Sequence, residues 1–512
     1  MPPRVLKTVA GALYRLLASI RKVAVDQLYD LLIIGGGVNG CAIARDAAGR
    51  GLSVRLVEQN DLASGTSSTS TKLIHGGLCY LELYEFRLVH EALAERERML
   101  AAAPHIVWPL TFVLPHEKGL RPVWMLRLGL FLYDYLARRK RLEGSHMVSL
   151  VGNDLGAPLR PAYRIGFTYA DCWVDDARLV VLNALDARER GASIDVGVRV
   201  LRAARDGDHW RATLADGREI AARALVNAAG PWVSSVIRDA LHVTTRKHVR
   251  LVKGSHLVVR RLYDGEQAYI LQNPDGRIVF AIPYEKDFTL IGTTDVAYAG
   301  APGPVEIDEA ETEYLLGSVN HFLAQPITRA EIVWSYAGLR PLYDDGALTA
   351  SVVTRDYAFD LDATETGAPV LSIFGGKITT ARRLAEHALD ALRDFLPEQG
   401  PAWTAEARLP GGDIDFDAFL AQLRRARPFL GDALSLRLAR AYGARVDLIL
   451  GAARSMEELG RDFGCGLTEA EVRYLVEHEW ARSAKDILWR RSKLGLHLSA
   501  AQQNALQLFI GA

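Results

Sequence analysis

Apolar positions along this chain change period several times, and each change marks an element. Tyr29-Asp-Leu-Leu-Ile-Ile34 is almost continuously apolar, as a strand buried on both faces must be, and it runs into Gly35-Gly-Gly-Val-Asn-Gly40 and a helical stretch from Cys41. A second strand, Ser53-Val-Arg-Leu-Val57, follows one helix later and ends at Glu58. From about Val198 to Ile291 the pattern turns to short alternating runs, such as Leu257-Val-Val-Arg260 and Tyr269-Ile-Leu-Gln272, separated by Asp-Gly and Asn-Pro-Asp-Gly turns. These predict an antiparallel sheet that forms the floor of a ligand site. A Pro/Gly-rich linker over residues 396–412 opens a helical domain, 413–512.

Two further stretches are amphipathic and basic. In residues 1–27, Val5, Val9, Leu13, Leu16, Leu17, Ile20 and Val23 recur at helical spacing, opposite Arg4, Lys7, Arg15, Arg21 and Lys22. An interfacial helix, a packing helix and residues ahead of the true start are the open readings. Residues 121–141 combine Trp124, Phe131, Tyr133 and Tyr135 with the run Arg138-Arg-Lys-Arg141. Their apolar stripe fits core, and their cations fit a solvated helix end or an anionic lipid surface.

The glycine turn defines the first chemistry. Gly35 permits the turn, Gly37 lets backbone approach a pyrophosphate, and Gly40 lets the helix pack closely on the strand. The free amides and positive dipole end of the helix then face the anion. Glu58 stands where an acid binds a ribose hydroxyl. The polar stretch from Asp61 to Gly77, with Thr66, Ser67 and Ser68, is too long for an ordinary connection. Followed by such hydroxyls, the second strand resembles those of FAD oxidoreductases with a glutathione-reductase-like nucleotide fold. Ala224-Leu-Val-Asn-Ala-Ala-Gly230-Pro-Trp232 agrees, because such folds return a strand ending in small residues beside the flavin. The expected cofactor is therefore FAD rather than NAD. The fold class is α/β plus antiparallel β: a glutathione-reductase-like FAD-binding fold interleaved with a β-sheet substrate domain over residues 28–395, the sheet lying mainly in 236–340, and a helical C-terminal domain.

Composition removes several alternatives. At 512 residues the chain exceeds one core, so two or three domains are expected. Lys+Arg and Asp+Glu are both 61, which gives no general affinity for nucleic acid. Cys41, Cys79, Cys172 and Cys465 form no Cys-x-x-Cys pair, arguing against a metal centre or a disulfide framework and for a reducing cytoplasm. No apolar run approaches the roughly 20 residues of a membrane span.

Longer motifs narrow the resemblance. Lys72-Leu-Ile-His75-Gly76-Gly-Leu78, Ala103-Pro-His105, Asp171-Cys-Trp-Val-Asp-Asp-Ala-Arg178, Lys253-Gly-Ser-His256, Ile291-Gly-Thr-Thr-Asp295, Gly338-Leu-Arg-Pro341 and Phe374-Gly-Gly-Lys-Ile-Thr-Thr380 occur in order. With Tyr84-Glu-Phe86 they make the chain, from Tyr29 to about Gly495, similar to bacterial FAD-dependent, quinone-linked glycerol-3-phosphate dehydrogenases. The resemblance implies oxidation of glycerol 3-phosphate, a membrane quinone as acceptor, and a cytoplasmic protein attached peripherally to the inner face of the membrane through anionic lipid. It leaves the oligomeric state open, a homodimer being one candidate.

It also assigns candidate residues. Arg340, Arg355 and Lys377 would hold the phosphate, with Thr294 in the Gly292-Thr-Thr-Asp295 turn lining the site. His256 is the first candidate for the base and His75 the second, because imidazole exchanges protons near neutrality. Tyr80 matches an active-site tyrosine. Lys72, Gly76, Gly376, Ile378 and Thr379 join the cofactor set. His478, in Tyr474-Leu-Val-Glu-His-Glu-Trp480, reads as structural.

One departure matters. Where the family's motif continues with an arginine after His-Gly-Gly-Leu, this chain has Cys79, which offers neither charge nor fork. Another cation compensates, the substrate differs, or activity is impaired. The competing readings are a related FAD oxidase of glycerophosphate or amino-acid type, and a flavoprotein with a disabled pocket.

Overall fold

The computed structural model describes residues 27–78, 85–117, 122–137, 140–344, 356–363 and 367–511. Residues 1–26, Cys79, Tyr80, Tyr84, Arg138, Arg139 and Arg355 lie outside that set, and with them the expectations placed on them.

The apolar strand Leu28–Ile34 is the centre of the first sheet, paired in parallel with Val54–Glu58 on one side and Glu219–Asn227 on the other. Ser193–Val196 and Val370–Gly375 extend it in parallel, and Tyr357–Asp362 closes one edge antiparallel. Helices Val38–Gly49, Asp176–Glu189 and Ala381–Leu392 cover one face through Ile43, Val180, Leu384 and their neighbours. The hairpin Val200–Asp206 and His209–Leu214 covers the other through Trp210. Ile34 aligns with both Val57 and Asn227, so three strands end level and leave a crevice beyond their carboxyl ends.

The second sheet has ten strands among the described residues. Its spine is Val249–Arg260, hydrogen-bonded along its length to Ile332–Tyr343 and over part of it to Phe288–Gly292. Two expectations need correction. The alternating stretch before residue 228 belongs to the nucleotide sheet, not to the substrate floor. The substrate sheet also recruits Leu73–Ile74, Val107–Pro115, His146–Ser149 and Ile165–Val174, from far upstream of residue 236. Alternation reports that a strand is buried on one side. It carries nothing about which sheet that strand joins.

Residues 121–141 form the helix Val123–Tyr135, of which only Leu130 and Tyr133 are buried. Val123, Leu126, Leu130, Tyr133 and Leu136 pack on the core of the second sheet, while Trp124, Leu128, Phe131 and Tyr135 are 65%, 51%, 55% and 69% exposed, so core accounts for only part of the stripe. Among the described residues no helix is long and apolar enough to cross a membrane.

The C-terminal domain packs around Tyr442, Leu467, Leu475, Ile487 and Leu506. Its helix Glu469–Glu479 starts at Thr468, which accepts from the Glu471 amide, and Ala500–Ile510 starts with a capping box between Ser499 and Gln502. At its junction with the rest of the chain His105 is fully buried, with no hydrogen-bond partner on either ring nitrogen among the described residues. Burial, and then Arg178 and Arg440, push this imidazole down to about 3. The neutral ring therefore stabilises the fold above the unfolded value of roughly 6.5, and that contribution is lost as pH falls toward about 3. His105→Leu should flatten the pH dependence of unfolding over that window by up to roughly 1.4 kcal/mol per pH unit. An unchanged slope in urea titrations would remove His105 from the acid response.

Candidate active site

The crevice at the strand ends continues as a cleft of about 550 Å³ between the two sheets. On the nucleotide side it is lined by Gly35, Gly37, Glu58, Gly230, Trp232, Gly376, Lys377, Ile378 and Thr379. The hydroxyl loop contributes Thr66, Ser67 and His75, and the substrate sheet contributes Arg340.

The glycine turn is built by exclusion of side chains. Gly35 has a φ of +114°, and a Cβ there would stand 2.6 Å from the Ala228 carbonyl oxygen. At Gly40 a Cβ would lie 1.9 Å from the Gly35 carbonyl oxygen, so Gly40 shapes the turn without lining the cleft. The Ser67 hydroxyl accepts from the Val38 amide at 3.0 Å, bringing the hydroxyl loop to the helix N-terminus. Glu58 accepts from the Gly36 amide at 2.6 Å and the Asn60 amide at 2.8 Å. Burial raises its pKa against those bonds. Lys377 follows Gly375 and Gly376, whose φ values of +80° and +100° turn the chain toward a second helix N-terminus, that of Ala381–Leu392. Asn39 donates to the Gly375 carbonyl at 3.3 Å and ties the two glycine turns together.

Arg340 reaches the cleft from Ile332–Tyr343, donating to the Thr293 hydroxyl at 2.7 Å and to the Asp295 carboxylate. These contacts fix the guanidinium plane while leaving it on the cleft wall.

Several expected site residues sit behind the wall instead. Lys72 is buried, with its Nζ 2.7 Å from Asp176 and 2.6 Å from the Ser68 carbonyl, and 5.0 Å from the centre of the Tyr336 ring. Burial lowers its pKa, and Asp176 opposes the shift. It braces the hydroxyl loop rather than facing a cofactor, and Ser68 turns its carbonyl to that brace. His256 is only 1% exposed, stacked on Tyr336 at 4.6 Å, with its Nε2 3.0 Å from the Thr71 hydroxyl. Burial, then Arg340 and Lys72, hold it well below the usual range, which makes it a poor proton acceptor. It does not line the cleft, whereas His75 does.

Thr294 also faces away: its hydroxyl donates to Glu311 at 2.7 Å and accepts from the Ser255 amide at 2.9 Å. Its neighbours Thr293 and Asp295 line the cleft in its place. Gly76 donates its amide to the Tyr133 hydroxyl at 2.8 Å and packs against Leu93. Its role is to place His75.

Sequence reading did not single out Asn39 or the wall at 198–201, and it covered Thr71, Thr293 and Asp295 only as members of the hydroxyl loop and of the Gly292-Thr-Thr-Asp295 turn. Asn39 lies inside the glycine fingerprint, and Thr293 and Asp295 inside a quoted motif, so a signal existed for those. The 198–201 segment is an ordinary strand entry with no local mark. Among the described residues no group of three or more His, Cys, Asp and Glu side chains is placed to hold a metal ion.

A parallel sheet with two glycine-shaped helix starts at one crevice, hydroxyls beside them and a substrate sheet opposite, defines a dinucleotide-dependent oxidoreductase. The chain belongs to the FAD dependent oxidoreductase family, whose model matches residues 30–382, and a model for the C-terminal domain of alpha-glycerophosphate oxidase matches residues 402–510. Its cofactor is FAD.

Glycerol-3-phosphate dehydrogenase of Pseudomonas aeruginosa is 54% identical over 490 residues, 94% of this chain and 95% of the relative. D-erythritol 1-phosphate dehydrogenase of Brucella abortus is 50% identical over 491 residues, 94% of this chain and 98% of the relative. The solved glycerol-3-phosphate dehydrogenase from Bacillus halodurans, complexed with FAD, has a TM-score of 0.72 at 28% identity and covers 95% of this chain and 94% of its own.

Proposed function

We propose that the protein oxidises sn-glycerol 3-phosphate to dihydroxyacetone phosphate and passes the electrons to a membrane quinone. The observation that carries this reading is that Arg340 from the substrate sheet, Lys377 from the nucleotide sheet and His75 from the hydroxyl loop all line one cleft. FAD supplies the hydride acceptor. Arg340 presents a planar fork to phosphate oxygens while Thr293 and Asp295 hold it in place, and Lys377 adds a point charge. Tyr80 and Arg355, which lie outside the described residues, join them by resemblance. His75 accepts the hydroxyl proton as the hydride leaves carbon, the assignment that the burial of His256 favours.

Anaerobic addition of glycerol 3-phosphate should bleach the flavin in one spectrum. Turnover should then require a quinone or dye rather than oxygen. Rapid oxygen uptake with peroxide release would replace this reading with the oxidase, and a flavin that no polyol phosphate reduces would leave the disabled pocket. His75→Ala should lower kcat by about a hundredfold or more, the usual contribution of a positioned acid or base. His256→Asn should preserve the neutral limb of the pH profile. Loss of that limb in His256→Asn would return the base to His256.

A second substrate reading rests on the Brucella relative, named as a D-erythritol 1-phosphate dehydrogenase at 50% identity, together with Cys79. Cys79→Arg should raise kcat/KM for glycerol 3-phosphate. If it falls instead while D-erythritol 1-phosphate remains a good substrate, the longer polyol phosphate is the physiological one.

The bare apolar face of Val123–Tyr135, next to Lys140 and Arg141, supports attachment to the inner membrane face, where a quinone is reached from one side. Sedimentation with anionic vesicles should fall in the double variant Leu128→Ser/Phe131→Ser and on deletion of residues 1–27, with the flavin spectrum unchanged. Undiminished binding in both would place the lipid contact elsewhere.

A further inference from the structure

The loop that carries cofactor-lining hydroxyls is pinned by a residue more than four hundred positions away. Asp61 lies between the adenosine-side residues Glu58 to Asn60 and the lining run that begins at Ser64, yet it does not itself line the cleft. Its carboxylate receives both terminal nitrogens of Arg491, at 2.6 and 2.8 Å, and Nε of Arg490. Arg491 is wholly buried and Asp61 is 8% exposed.

The two arginines are in turn fixed inside the C-terminal domain. Arg491 Nε donates to the Glu479 carbonyl at 3.1 Å, and Arg490 pairs with Asp486. The loop closes on the glycine turn from the same place: the Ala63 amide donates to the Gly36 carbonyl at 3.0 Å and the Ser64 amide to the Asp61 carbonyl at 3.1 Å.

We propose that the C-terminal domain is a cofactor clamp, and that Asp61 and Arg491 are the positioning pair through which it holds the FAD-binding loop against the glycine turn. A desolvated bidentate pair has one good geometry, so it fixes Asp61 and therefore the loop on both sides of it. Lysine at 491 would keep the charge and lose the fork. The inference concerns FAD retention and stands whichever polyol phosphate is oxidised.

The test uses the full-length chain, deflavinated and titrated with FAD by flavin fluorescence. Arg491→Lys and Asp61→Asn should each weaken FAD binding by at least about tenfold, the share of a lost buried charged pair that reaches the cofactor through the loop. The double variant should bind no more weakly than Asp61→Asn, because that change already removes the partner of Arg491 together with that of Arg490.

The apolar replacement Asp61→Leu/Arg491→Met keeps the interface filled if the single variants fold poorly, and it should show the same loss. An FAD dissociation constant unchanged in soluble variants, with only a lower unfolding midpoint, would overturn the clamp and leave a staple between domains. A double variant whose loss equals the sum of the two single losses would overturn the pairing.

Discussion

Gly40→Ala is expected to give a colourless protein. Its new Cβ would stand 1.9 Å from the Gly35 carbonyl oxygen and 3.1 Å from that carbonyl carbon, both backbone atoms of the turn. Neither can rotate away, so the helix Val38–Gly49 must lift off the strand and take its phosphate-facing amides with it. A retreat of even an ångström removes several of the N–H contacts at once, and FAD affinity should drop by at least about a hundredfold. Gly37→Ala is the control. Its Cβ would meet only the Ser67 hydroxyl, at 3.3 Å, and that side chain can turn aside at the cost of its bond to the Val38 amide. About a tenfold weakening is expected there, the equivalent of one hydrogen bond. Fluorescence titration of FAD into deflavinated protein ranks the two, and a yellow Gly40→Ala protein would mean that the turn is more pliable than its packing implies.

The second large effect belongs to Arg340. Loss of one charged hydrogen-bonding partner costs roughly 1.5 to 3 kcal/mol, about a tenfold to hundredfold fall in kcat/KM for glycerol 3-phosphate in Arg340→Ala. Arg340→Lys should recover little, because lysine cannot reach Thr293 and Asp295 and still offer a fork to phosphate. Lys377→Ala should fall in the same range. His478→Ala should change nothing, since that ring packs at a tilt against Tyr474 within the C-terminal domain. Equal activity in all of these variants would move the substrate site away from this end of the cleft.

Misplaced residues show where sequence reading runs out. His256 and His75 are both histidines in glycine-flanked motifs, and nothing local separates them. The difference comes from Tyr336 and Thr71, which cover His256 from other strands and loops. Lys72 reads as a cofactor contact until Asp176 takes it into a buried pair. In each case the deciding partner is remote in the chain, so no window of sequence contains it.

Strand, glycine turn, helix and terminal acid are legible in the chain alone, because each is a local steric or hydrogen-bonding requirement. So are the hydroxyl loop and the helical nature of the C-terminal region, whose caps and apolar spacing lie within a few residues of each other. Which sheet each alternating strand joins, and which cations reach the cleft, depend on long-range packing that the folded chain alone reveals. The folded chain also shows that Trp124, Leu128 and Phe131 point outward. The same holds for Asp61 and Arg491, which stand 430 positions apart with no local pattern to pair them. Their pairing exists only because two domains close over it and exclude the water that would otherwise solvate them.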